Sequence, residues 1–201
     1  MGRRVILASG NAAKLKEIAA ILSGLDMQVE PQSDLGVTEV EESGLCFAEN
    51  AILKARNACE QTGLAAIADD SGIEVDWLNG APGIHSSRYA GPGASDEDNL
   101  NKLLVAMDGV PEAQRLARFH CVMVYMRHAH DPTPLICDGV WEGRLLHAPR
   151  GDNGFGYDPI FHVPTHDCAS AELPSEVKNR ISHRAQALRL LLEALRQRYP
   201  G

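Results

Sequence analysis

The chain has 201 residues, enough for one domain with a sizeable core, and its 44% hydrophobic and 23% charged content is that of an ordinary globular protein. No apolar run is long enough to span a membrane, and the start Met1-Gly2-Arg3-Arg4-Val5-Ile6-Leu7-Ala8-Ser9 is too short in apolar residues for a signal peptide, so a cytoplasmic protein is expected. A formal net charge of -8 argues against nucleic acid polymers as partners, whereas a small polyanion needs only a few local cations and a metal.

Arg4 to Ala8 reads as a first strand, followed by the turn Ser9-Gly10-Asn11 and a helix from Ala12 to Ser23 with Leu15, Ile18, Ala19 and Leu22 on one face. The polar stretch from Ser33 to Gly44 reads as a loop. Phe47, Ala51, Ala55 and Ala58 then recur at helical spacing, which predicts a helix over Phe47 to Gln61 that ends near Gly63. Ala65-Ala66-Ile67-Ala68 reads as a buried strand that ends in Asp69-Asp70-Ser71-Gly72, with Ile73 to Val75 as a possible continuation.

Gly80-Ala81-Pro82-Gly83 predicts a turn, and Ser95 an N-cap for a helix to Met107, with Asp96, Glu97 and Asp98 in its first turn. Leu116 to Met126 and Pro134 to Leu146 predict a hairpin across the polar turn His128 to Thr133. Ile181 to Arg198 closes the chain as a helix, with Ser182 as a good N-cap. Strands interleaved with helices, plus one hairpin, predict an α/β protein with a mixed sheet in a single domain over 1–201.

The five cysteines form no Cys-x-x-Cys pair and no zinc spacing, so buried free thiols are expected. Four polar clusters accompany the Asp69-Asp70 step. Two adjacent carboxylates at a strand end repel unless a cation compensates, which a site for Mg²⁺ would do; a helix N-cap or an Asx turn would also account for them. Ser9-Gly10-Asn11-Ala12-Ala13-Lys14 places backbone N–H groups and a lysine where a strand turns into a helix, as a phosphate site does, although simple capping with a solvated Lys14 fits as well. It is neither a Walker A loop nor a Rossmann fingerprint.

Asn50 and Lys54 are four apart and share a helix face, behind the acidic Glu39, Glu41 and Glu42. Gly151 to Pro159 combines glycines, which let backbone approach a ligand, with Phe155 and Tyr157, either of which offers a stacking face; packing of a hairpin end is the plainer use. His183 and Arg184 begin the last helix, where the dipole disfavours cations unless a ligand or acid faces them.

Together these segments resemble the inosine triphosphate pyrophosphatase family. The resemblance is carried by Ser9-Gly10-Asn11-x-x-Lys14, Phe47-x-Glu49-Asn50-Ala51-x-x-Lys54-Ala55, Ala68-Asp69-Asp70-Ser71-Gly72, Gly83-x-x-Ser86-x-Arg88-Tyr89, Gly154-Phe155-Gly156-Tyr157-Asp158-Pro159 and Ser182-His183-Arg184, in that order along essentially the whole chain. It is closest to the bacterial dITP/XTP pyrophosphatases. It implies an elongated mixed sheet joining two lobes with flanking helices around a central active-site cleft, and a homodimer.

The implied reaction is Mg²⁺-dependent hydrolysis of ITP, dITP and XTP between the α- and β-phosphates, giving a nucleoside monophosphate and pyrophosphate. By resemblance Asp70 accepts the proton of water and is a metal ligand, with Glu42 as second metal carboxylate and Glu41 close behind. Ser9, Gly10, Asn11, Ala12, Ala13, Lys14 and Lys54 would hold the triphosphate, and Ser71 would position it. Phe155, Gly156, Tyr157, Asp158, Lys178, His183 and Arg184 would line the nucleoside. The alternatives are a Maf-like pyrophosphatase with another base preference and a noncatalytic nucleotide sensor, the latter made less favourable by intact Asp70 and Glu42.

Overall fold

The structure is a computed structural model in which residues 3–9 and 27–199 are described; the helix expected over Ala12 to Ser23 lies outside them. Seven strands form one sheet in the order β2-β1-β3-β4-β5-β6-β7. They are β1 (Arg3–Ala8), β2 (Met27–Pro31), β3 (Ala65–Val75), β4 (Leu116–Met126), β5 (Leu135–Leu145), β6 (Phe161–Val163) and β7 (Cys168–Ala169). β1 runs parallel to β2 and β3, whereas β6 is antiparallel to β5 and β7, so the sheet is mixed as expected.

The helices are α1 (Phe47–Thr62), α2 (Asp96–Ala106), α3 (Ser175–Ile181) and α4 (His183–Arg198). α1 buries Phe47, Ala51, Ala55 and Ala58, the stripe that predicted it. α2 opens on a capping box: Ser95 Oγ accepts from the Asp98 N–H at 3.1 Å and the Asp98 carboxylate accepts from the Ser95 N–H at 2.9 Å. β4 and β5 are neighbours joined by the short connection expected of a hairpin.

The chain forms two compact units, one of residues up to Asp70 with Cys121–Gly139 and the residues from Gln186, the other of Ser71–His120 and Val140–Ala185. The first has a core of Val5, Leu7, Ile67, Met123 and Tyr125 against Leu188 and Leu191 of α4. In the second, Ile73, Leu103, Phe119, Trp141 and Phe161 pack together. β3, β4 and β5 supply residues to both, and the division in β3 falls on the Asp70-Ser71 peptide.

Three readings change. β3 is continuous from Ala65 to Val75, so Asp69 and Asp70 sit inside a strand and not at its end, and the N-cap and Asx-turn alternatives fall. The last helix begins at His183, because Ile181 closes the separate α3 and Ser182 caps α4 by accepting from the Ala185 N–H at 3.3 Å. β2 was not expected, nor were the short β6 and β7. Among the described residues no helix is long and apolar enough to cross a membrane.

Candidate active site

Asp69 and Asp70 are 1% and 6% exposed, a placement that ionised carboxylates tolerate only with compensation. Part of it comes from α1. Lys54 Nζ donates to Asp70 Oδ1 at 3.1 Å and to a Glu42 oxygen at 2.8 Å. Burial pushes the Lys54 ammonium toward lower pKa, but the charges of Asp70, Asp69 and Glu42 outweigh it and the net shift is upward, so Lys54 stays protonated. Glu41, by contrast, is exposed.

Asn50, wholly buried one turn before Lys54, donates to Asp70 Oδ2 at 3.2 Å. Its own Oδ1 accepts the Gly44 N–H at 2.8 Å, and Glu49 accepts the Leu45 N–H at 2.5 Å. The start of α1 is thus tied to the segment that carries Glu42. Gly44 has no room for a side chain there, since a Cβ would stand 2.6 Å from Asn50 Oδ1.

Among the described residues, the carboxylates of Asp70, Asp69 and Glu42 all act on the Lys54 ammonium. Hard oxygen donors of this kind suit Mg²⁺, which is bound by one or two carboxylates and completes its shell with water and phosphate oxygens. Among the described residues no group of three or more His, Cys, Asp or Glu is placed to hold a metal ion. Ser9 is buried at the end of β1, whose Ala8 pairs with Ala68 next to Asp69. Gly10, Asn11, Ala12, Ala13 and Lys14 lie outside the described residues.

The second unit gathers the remaining candidates. Phe155 is half-buried, with Lys178 Nζ 5.2 Å and Arg184 Cζ 5.7 Å from its ring centroid, within cation–π range. Arg184 also donates to Ser71 Oγ at 3.2 Å. His183 stacks on Phe119 with centroids 4.7 Å apart and planes 12° from parallel. Tyr157 donates its hydroxyl to the Ser86 carbonyl at 2.8 Å, and burial pushes its pKa upward, so it serves as a neutral donor. Gly156 donates its N–H to Asp96 at 2.9 Å.

Asp158 accepts from Lys178 Nζ at 2.6 Å, Ser170 Oγ at 2.7 Å and the Phe155 N–H at 2.9 Å. A Cβ on Gly154, which also has a φ of +79°, would strike the Asp158 carboxylate. The glycine-rich loop is thereby shaped around one buried ion pair.

Residues 5–194 match the Ham1 family. The chain belongs to the Ham1 family. It is 60% identical over 195 residues to a dITP/XTP pyrophosphatase of Vibrio vulnificus (strain YJ016), covering 97% of this chain and 98% of that protein. It is 58% identical over 194 residues to the dITP/XTP pyrophosphatase of Escherichia coli (strain K12), with 96% and 98% covered. Among solved structures, a HAM1 protein from Coxiella burnetii superposes with a TM-score of 0.92 at 50% identity, over 97% of this chain and 99% of that one.

Within this Ham1 chain the structure brings Asp70, Lys54 and Glu42 together in one unit, and Ser71, Phe155, Asp158, Lys178 and Arg184 in the other. Asn50 and Ser170 were not singled out as site residues. Asn50 did carry a signal, its shared face with Lys54. Ser170 carried none, because its partner Asp158 becomes a neighbour only when the glycine-rich loop folds back.

Proposed function

We propose that this Ham1-family protein hydrolyses the noncanonical purine nucleoside triphosphates ITP, dITP and XTP to the monophosphate and pyrophosphate, with Mg²⁺, and that residues 1–201 serve this single activity as a homodimer. The observation that carries the reading is the set of carboxylates around Lys54, the buried Asp69 and Asp70 with the half-buried Glu42, a charge pattern suited to a cation and a phosphate chain. Its support is the name of the Vibrio and Escherichia relatives, dITP/XTP pyrophosphatase, at 60% and 58% identity.

In this reading Asp70 accepts the proton of the attacking water, a role for which a carboxylate needs a lone pair facing the reactant. Asn50 donates to one oxygen of Asp70 and Lys54 to the other, which orients the group. Lys54, with Ser9 and Gly10 to Lys14, neutralises phosphate oxygens. Asp70 and Glu42 would hold the Mg²⁺, which supplies charge stabilisation for the departing pyrophosphate.

Phe155 offers the base a stacking face, and Lys178 and Arg184 supply donors. A 6-oxo purine presents an acceptor at O6 and a donor at N1, whereas adenine presents a donor at N6 and an acceptor at N1, so cationic donors favour hypoxanthine and leave adenine unsatisfied. Gly156, Tyr157, Asp158 and His183 shape the surroundings of that recognition, and Ser71 is held by Arg184.

Pyrophosphate release measured across ITP, dITP, XTP, GTP, ATP and modified pyrimidine triphosphates, with and without Mg²⁺, tests the whole reading. Release from the 6-oxo purines well above ATP, and only with metal, is expected. A preference for modified pyrimidines would favour the Maf-like alternative, and binding without release the sensor.

A further inference from the structure

Ser170 is 1% exposed and opens a short 3-10 turn, Ser170–Glu172, on which the glycine-rich loop rests. The Asn153 N–H donates to the Ala171 carbonyl at 3.0 Å and its side-chain amide to the Leu173 carbonyl at 3.2 Å. Ser170 Oγ adds a third tie, to Asp158 Oδ1 at 2.7 Å. The other oxygen of Asp158 takes both the Phe155 N–H at 2.9 Å and Lys178 Nζ at 2.6 Å.

The division of labour between the two oxygens matters physically. An Asp carboxylate turns broadly about its last torsion, so a donor on one oxygen sets the direction of the other. Lys178 is a flexible stem with three rotatable donors, one of which goes to that second oxygen. With Asp158 fixed, one Lys178 N–H is committed at 2.6 Å and the ammonium is held 5.2 Å from the Phe155 ring centroid.

We propose that Ser170 is a positioning residue for base recognition, acting through Asp158 on Lys178. It touches no substrate. The inference rests on the assignment of Lys178 to the base under the proposed function, and the experiment separates the two.

Steady-state kinetics with ITP and ATP are measured for the wild type, Ser170→Ala, Lys178→Met and the double variant. A hydrogen bond to a charged group is lost, so Ser170→Ala is expected to lower kcat/KM for ITP by about five- to tenfold, through KM, and to affect ATP much less. In the Lys178→Met background the same change is expected to add less than about twofold, since residues that act in series are not additive.

An equal loss for ITP and ATP would mark Ser170 as merely structural and overturn the proposal, as would a full effect that persists without Lys178. A preserved ITP preference in Ser170→Ala beside a lost one in Lys178→Met removes Ser170 alone. An unchanged preference in Lys178→Met, or none in the wild type, overturns the assignment of Lys178 and the proposal with it. Should Ser170→Ala fail to fold by circular dichroism, Ser170→Cys, similar in shape and a poor donor, carries the same test.

Discussion

The side-chain amide of Asn50 donates to Asp70 Oδ2 at 3.2 Å while Lys54, one helical turn on, donates to Oδ1 at 3.1 Å. Helix α1 therefore addresses both oxygens of the candidate base from one face. Because Asn50 Oδ1 is taken by the Gly44 N–H, the amide has one orientation that satisfies both ends. Asn50→Ala removes two hydrogen bonds and leaves the Gly44 donor short of a partner, at a cost of about 1–3 kcal/mol. Turnover should fall by roughly ten- to a hundredfold as Asp70 loses its fixed direction. Thermal denaturation and kcat measured on the same preparation check the two halves separately.

Asp70→Asn keeps the shape of the side chain and removes its capacity to accept a proton. Turnover should fall by roughly 10² to 10⁴ while the protein stays folded. Near-normal pyrophosphate release would take Asp70 out of that role. The variant also loses one of the charges that hold Lys54, so its melting temperature is worth recording beside the rate.

What the amino-acid pattern revealed follows the range of the forces involved. α1 and α2 were legible because their signals are local: Phe47, Ala51, Ala55 and Ala58 form one stripe, and Ser95 with Asp98 closes a capping box within a single turn. β2, β6 and β7 were not, since strands of five, three and two residues acquire stability from neighbours that the sequence does not place beside them. The Asp69-Asp70 step misled in position, as charged residues normally mark a strand end, and here Asn50 and Lys54 of another element make the burial of Asp70 tolerable. Asp158 is the instructive site residue. Its folded partners Ser170 and Lys178 stand twelve and twenty residues away, a pairing that no local pattern announces.

Arg184 pairs with Ser71 at 3.2 Å and lies 5.7 Å from the Phe155 ring centroid, although it opens α4, where the helix dipole opposes a cation. Such a placement suits a donor for the purine edge. Arg184→Ala should lower the ITP over ATP ratio of kcat/KM by about tenfold, since a hydrogen bond to a charged group is worth roughly 1.5–3 kcal/mol. An unchanged ratio would assign base selection elsewhere, with Lys178 the next candidate.

The turn between β4 and β5 supplies a stability test remote from these residues. The Asp131 side chain is fully buried and accepts from the Arg127 guanidinium, the Arg127 N–H at 3.0 Å and the Thr133 N–H at 3.0 Å. The Arg127 side-chain hydrogen bond outweighs the effect of burial and, with the backbone donors, holds the Asp131 carboxyl well below its usual range. A carboxyl whose folded pKa is depressed adds stability at pH values above its unfolded value of 3.8, and that contribution is lost as the pH falls through the folded pKa. Asp131→Asn should thus destabilise the protein at neutral pH, by about 1–3 kcal/mol for the hydrogen bonds disturbed. The gap between variant and wild type should narrow steadily below about pH 4, where the unfolded carboxyl begins to take up its proton. Urea denaturation of both proteins at pH 7 and at several acidic values checks the sign. A gap that is constant with pH would mean that packing around Asn, and not the lost charge, sets the cost.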